Sequence, residues 1–136
     1  MKTPVCPYCG KPSKQVGGRI IYPHRSDLYG LTFYLCAEDD AYVGSHYGSK
    51  KPLGTLANKE LRSLRSKTHI AFDALWKRYD LMSRNEAYKW LSEELGLPKA
   101  KTHIAMFNEE LCNKTIKLSE NKRLALTSNR FRSSNR

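Results

Sequence analysis

Two short segments, Cys6-Pro7-Tyr8-Cys9-Gly10 and Cys36-Ala37-Glu38-Asp39, constrain this chain more than anything else in it. Two cysteines separated by two residues on a tight turn can present both sulfurs to one tetrahedral ion at about 2.3 Å. Pro7 restricts that turn, and Gly10 lets the chain reverse with backbone amides toward the thiolates. Cys36 opens a segment of the same spacing, directly after a β-prone run, but the segment ends in a carboxylate. Cys6, Cys9, Cys36 and Asp39 are therefore the expected metal ligands, with Zn2+ as the expected cofactor. His46, Asp40 and His24 are rivals for the fourth position. Cys-Pro-Tyr-Cys also resembles a glutaredoxin redox motif. That fold needs a strand before the motif and a helix starting at it, to lower the thiol pKa. Only five residues precede Cys6, and Gly10, Pro12 and Gly17-Gly18 break any helix. The fourth cysteine, Cys112, follows Leu111 in a helical stretch and reads as a core residue.

The organisation along the chain is a switch of period. Residues 1–50 alternate turn signals with short β-prone runs, and read as a zinc-ribbon-like module of short antiparallel strands. Lys14-Gln15-Val16 and Arg19-Ile20-Ile21-Tyr22 flank Gly17-Gly18, which predicts a hairpin with a two-residue turn. Leu31–Leu35 and Ala41–Val43 are two further strands. Residues 51–126 read as a helical unit of three or four helices. Leu61, Leu64, Thr68, Phe72, Leu75 and Tyr79 make one stripe, and Thr55 or Asn58 can cap its start. Ser83-Arg84-Asn85-Glu86 is a capping box, followed by Ala87, Trp90, Leu91 and Leu95, with Gly96 and Pro98 as the stop. Asn108 can cap a third helix through Glu109-Glu110, with Leu111, Thr115, Leu118 and Ala125 on its stripe. Residues 127–136 read as a disordered basic tail, because Phe131 is nearly alone there as an apolar side chain. The expected fold class is α+β, with the ribbon packed against the helical unit. A ribbon with so few large aliphatic residues needs a metal staple to fold.

The 136 residues carry 24 Lys plus Arg against 13 Asp plus Glu, a net charge of +11. That balance favours a polyanionic or acidic partner over a neutral one. Lys50, Lys51, Arg62, Arg65, Lys67, Arg130 and Arg132 are the candidate nucleic-acid contacts. Tyr8, Tyr22, Tyr29, Tyr34, Tyr42 and Tyr47 crowd the ribbon among basic residues, a composition able to stack on bases. Tyr34 and Tyr42 sit in β-prone runs and read instead as core. His24, His46, His69 and His103 are candidate catalysts in type only. His69 and His103 lie next to apolar stripes and read as partly buried structural residues. No second carboxylate cluster accompanies His24 and Arg25, so a metal-dependent nuclease is a weak third alternative. No run of about 18 apolar residues marks a membrane span, and no apolar stretch precedes Cys6 to mark a signal peptide.

The blocks Cys6–Gly10, Ile21-Tyr22-Pro23-His24-Arg25, Asp27-Leu28-Tyr29 and Ala41–Gly44 are similar to a small family found in phages and prophages, a zinc-finger-containing domain of unknown function. Lys51–Asn58, Glu60–Arg62, Phe72-Asp73, Leu75-Trp76, Trp90-Leu91 and Met106-Phe107 carry the resemblance onward, so that it covers residues 4 to 116. The family pattern has Cys-x-x-Cys at the second turn, where Asp39 now holds the last position, and another cysteine often stands where Ser45 does. The resemblance implies a zinc ribbon and a phage source, and no activity. The expected function is a phage-encoded accessory protein in the cytoplasm of a bacterial host. It binds nucleic acid or modulates transcription, without catalysis. The alternative is a protein–protein module that inhibits a host enzyme.

Overall fold

The computed structural model describes residues 3–134, and the side chains of residues 3–128. Three strands, β1 (Lys14–Gly17), β2 (Thr32–Cys36) and β3 (Ala41–Gly44), form an antiparallel sheet in the order β1-β2-β3. The register pairs Lys14 with Leu35 and Gly17 with Thr32, then Phe33 with Gly44 and Cys36 with Ala41. Four helices are present among the described residues: α1 (Gly18–Ile21), α2 (Lys59–Asp73), α3 (Arg84–Leu95) and α4 (Glu109–Ser134). The class is α+β, as the change of period predicts.

The predicted hairpin around Gly17-Gly18 does not form. After β1 the chain enters the single turn α1, closed by the Tyr22 amide donating to the Gly18 carbonyl at 2.8 Å. The partner of β1 is β2, reached through residues 18–31 and a 3-10 turn at Ser26–Leu28. Gly18 is required for space, not for a left-handed backbone. A Cβ placed on it would lie 1.7 Å from the Leu28 carbonyl oxygen, and its amide donates to Leu31. Ile20 is left 63% exposed, so its β-branched side chain has no sheet to join.

The chain divides into two compact units, Met1–Arg62 and Ser63–Arg136, where the sequence places the boundary near residue 50. The reason lies in hydrogen bonds from residues 51–62 back to the sheet. Leu53 donates to Gly44, Lys51 accepts from His46, and Ala57 exchanges two 3.1 Å bonds with Tyr42. Leu56 is fully buried beside Cys6, Tyr34, Ala41 and Val43. Arg62 stacks on Tyr42 at 4.0 Å and donates to the carbonyls of Asp40 and Ala57, both at 2.8 Å. Tyr22, Phe33 and Tyr42 make mutual edge-to-face contacts, and the Tyr22 and Tyr42 hydroxyls are 2.8 Å apart.

In the second unit Phe72, Leu75, Ala87, Leu91, Ile104, Phe107 and Cys112 are buried. Asn58, not Thr55, caps α2, its Oδ1 accepting from the Leu61 amide at 2.9 Å. The capping box at Ser83 and Glu86 forms, and Gly96 ends α3 at φ 65°. Asn108 caps α4 through the Leu111 amide. The buried line of α4 is Cys112, Thr115 and Ser119, and Ala125 is exposed. His69 and His103 are also exposed, contrary to the expected partial burial.

Helical backbone continues to Ser134, through most of the segment read as a disordered tail; Asn135 and Arg136 lie outside the described residues. Leu124, Ala125 and Leu126 are good helix formers, and cationic residues toward a helix C-terminus complement its dipole. Gly18→Ala is expected to destabilise the first unit by about 1–3 kcal/mol through overpacking against backbone. Gly17→Ala, whose Cβ would meet only ordinary contact at 3.6 Å, is expected to cost less in thermal unfolding. Equal melting temperatures for the two variants would contradict this.

Candidate metal centre

The first turn is built by its own backbone. Gly10 donates to the Cys6 carbonyl and Cys6 donates to the Lys11 carbonyl, both at 2.9 Å. Gly10 sits at φ 75°, where a side chain would be strained. The Ser13 amide and hydroxyl both donate to the Pro4 carbonyl, at 2.9 and 2.6 Å, closing the loop at its base. The second turn joins β2 to β3. Cys36 is the last residue of β2 and pairs with Ala41, which fixes the mouth of the turn. Asp40 takes φ 48°, a left-handed conformation that aspartate tolerates, and this leaves Asp39 facing back toward the cysteines.

One donor atom from each of Cys6, Cys9, Cys36 and Asp39 falls in a group in which all lie within 4.8 Å of one another. The Cys9 and Cys36 sulfurs are 3.7 Å apart, and the Asp39 Oδ2 is 3.5 Å from the Cys6 sulfur and 3.4 Å from that of Cys36. Two sulfurs each about 2.3 Å from a tetrahedral centre stand about 3.8 Å apart, and a sulfur and an oxygen about 3.6 Å. The observed spacings are the edges of that tetrahedron. They are far longer than the roughly 2.05 Å of a disulfide, and all four cysteines of the chain are free. The set therefore fits a metal ion, and three thiols select a soft or borderline cation over calcium or magnesium.

Without a cation the same closeness makes the thiols hard to ionise together. The Asp39 backbone amide favours the Cys36 thiolate, but burial and the hydrogen bonds shared with Cys6, Asp39 and Cys9 outweigh it. They push this thiol up to about 12. Asp39 goes the other way. The Cys36 thiol first, and then those of Cys9 and Cys6, donate to its carboxylate and hold it below the usual range. Cys6 is fully buried, while Cys9, Cys36 and Asp39 are half-buried. Lys11 and Glu38 reach across the two turns at 3.9 Å, an exposed pair that contributes little.

The rival ligands are elsewhere. The Asp40 carboxylate lies 3.8 Å from Arg62. His46 lines a separate hollow with Ser45, Ser49 and Lys50. His24 is exposed and outside the group. Among the candidate nucleic-acid contacts, Lys50, Lys51 and Lys67 are exposed. Arg65 is not available to phosphate: it is 8% exposed, and its Nε donates to the Phe107 carbonyl at 2.9 Å. Arg62 is engaged by Asp40, Ala57 and Tyr42 and acts as a strut of the first unit. Arg130 and Arg132 lie on the helical backbone of α4, with side chains outside those described. One supporting residue escaped the sequence reading. Tyr8, inside the first turn, accepts the Asn58 amide on its hydroxyl at 3.0 Å and so ties that turn to the start of α2.

Each thiol must shed a proton to ligate, so metal affinity should fall as pH drops, and Cys36 should be the most costly to deprotonate. A chromophoric chelator competition across pH would measure this, and a flat profile would contradict it. In the same assay Asp39→Asn should weaken retention more than His46→Ala does. Loss of a direct ligand should exceed the roughly 10–100-fold that loss of an outer-shell partner costs. The reverse order would reassign the fourth ligand.

No characterised protein and no solved structure gives a significant match to this chain. A family model described as a zinc-finger-containing domain matches residues 2–122, which include all four clustered ligands. By that match over most of its length, the chain belongs to the family of zinc-finger-containing domains.

Proposed function

We propose that the protein is a zinc-stapled, non-catalytic accessory protein that binds nucleic acid through basic side chains, in the service of a phage or prophage. The observation that carries this is the closed donor set. Four protein atoms already occupy the corners of a tetrahedron, as in structural zinc sites, whereas a catalytic site keeps one corner for water or substrate. Zinc is the ion of choice because of the family description and the three sulfurs. The net charge of +11 and the exposed Lys50, Lys51 and Lys67 support a polyanionic partner. No helix among the described residues is long and apolar enough to cross a membrane.

A second reading, a module that captures a host protein, is favoured by exposed apolar side chains on the first unit. Val5 is 58% and Tyr47 is 96% exposed. Salt separates the two readings. Phosphate binding should weaken with a log–log slope near 0.9 for each phosphate contacted on duplex DNA, or near 0.7 on a single strand. Binding through Val5 and Tyr47 should survive salt.

Purified protein is expected to carry about one zinc per chain by elemental analysis, and Cys6→Ser to lose the metal and the fold of the first unit. In a gel-shift series at low salt, micromolar protein should retard duplex DNA, single-stranded DNA or RNA. No retardation of any of the three would end the nucleic-acid reading. Metal-dependent cleavage of those probes by the unaltered protein would end the non-catalytic one.

A further inference from the structure

In the second unit an open groove of about 490 Å³ runs between α2 and α4. Its floor is apolar: Ala71, Ala74 and Ile116, with Ile70 on the rim at 70% exposure. Its charged groups are three bases, Lys67, Arg78 and Arg123, against one acid, Glu120. Two of the bases are brought together by one ring. The Arg78 guanidinium lies 5.4 Å and that of Arg123 5.2 Å from the centroid of Tyr79. Attraction to the ring's π-cloud offsets part of the repulsion between the two cations and holds both at the groove.

This combination selects among anions. A bare phosphate would use the guanidinium groups and leave the apolar floor wet. Duplex DNA offers phosphates but hides the faces of its bases. An unpaired strand supplies both an anionic backbone and flat apolar faces, and an open groove suits a polymer passing through it. Arginine pairs bind phosphate oxygens by charge-assisted hydrogen bonds that are stronger than neutral ones. We infer that this groove binds single-stranded nucleic acid, with a backbone phosphate between Arg78 and Arg123 and an unstacked base over the floor beside Ile70. The inference rests on the nucleic-acid reading above and adds the site and the form of the partner. None of Arg78, Tyr79 and Arg123 stands out in the sequence, because they are distant in order and share no motif.

The test is fluorescence anisotropy with the full chain and a labelled 20-nucleotide oligothymidine, alongside a duplex of equal length. Arg78→Glu with Arg123→Glu should weaken oligothymidine binding by at least about tenfold. Lys89→Glu with Lys114→Glu makes the same change of net charge on exposed positions outside the groove lining, and should cost much less. Arg78→Gln with Arg123→Gln should lower the salt slope by about 1.4, from about 0.7 per lost phosphate contact, which a purely structural role would not do. Ile70→Asp, at an exposed side chain that can change without unfolding the unit, should weaken oligothymidine more than duplex. If unaltered protein binds oligothymidine and the groove variants bind it equally well, the groove is overturned and the broader reading stands. If unaltered protein binds no nucleic acid, both fall. Polyglutamate binding as tightly as oligothymidine would show a plain sink for negative charge and would also overturn the groove.

Discussion

The convergence of three sulfurs and one carboxylate at tetrahedral spacing is the constraint on which the first unit depends. The buried apolar group there is small: Cys6, Tyr34, Ala41, Val43 and Leu56, with Cys9 and Cys36 packed against it. Two of the positions in and around that core are ligand-bearing turns that ordinary packing alone holds weakly. With neutral thiols the cluster is a set of sulfhydryl donors around one ionised carboxylate. A soft cation would replace those weak bonds with coordination and tie residues 4–13 to the β2–β3 turn. The metal and the small core are therefore one device, because the ligands are themselves core side chains.

Around that device the first unit is held mainly by backbone and arginine contacts. The Tyr34 hydroxyl donates to the Lys50 carbonyl, which anchors the segment after β3. Arg62 then closes the unit by covering the Tyr42 ring and donating to two carbonyls on different segments. This accounts for a unit that extends a dozen residues beyond the last strand. It also removes Arg62 from any role at the surface, since its donors are committed.

Much of the site was legible in the sequence because its logic is local. A Cys-x-x-Cys turn with a glycine after it, and a Cys-x-x-Asp turn after a strand, each announce ligand geometry within four residues. The helix starts at Ser83 and Asn108 and the stop at Gly96 were legible for the same reason: caps are made by residues three or four apart. What failed depended on partners far along the chain. Gly17-Gly18 carries a hairpin signal, but the true strand partner lies beyond residue 31, and Gly18 is there to let the Leu28 carbonyl approach. Arg65 reads as a surface base until Phe107, distant in sequence, supplies a buried carbonyl for it. The end of the helical unit was placed too early because composition describes what a segment can bury, and α4 continues on helix propensity and charge placement instead.

The long final helix has one electrical consequence. At 26 residues it is about 39 Å long, several times the roughly 10 Å screening distance in ordinary salt. Glu109 and Glu110 stand at its beginning, while Lys122, Arg123, Arg130 and Arg132 stand toward its finish. Whole charges outweigh the half-charges of the peptide dipole, so the rod is polarised opposite to its own backbone, negative first and positive last. A polyanion arriving from solution would feel that asymmetry before any contact is made, and would be turned toward the far end of the rod.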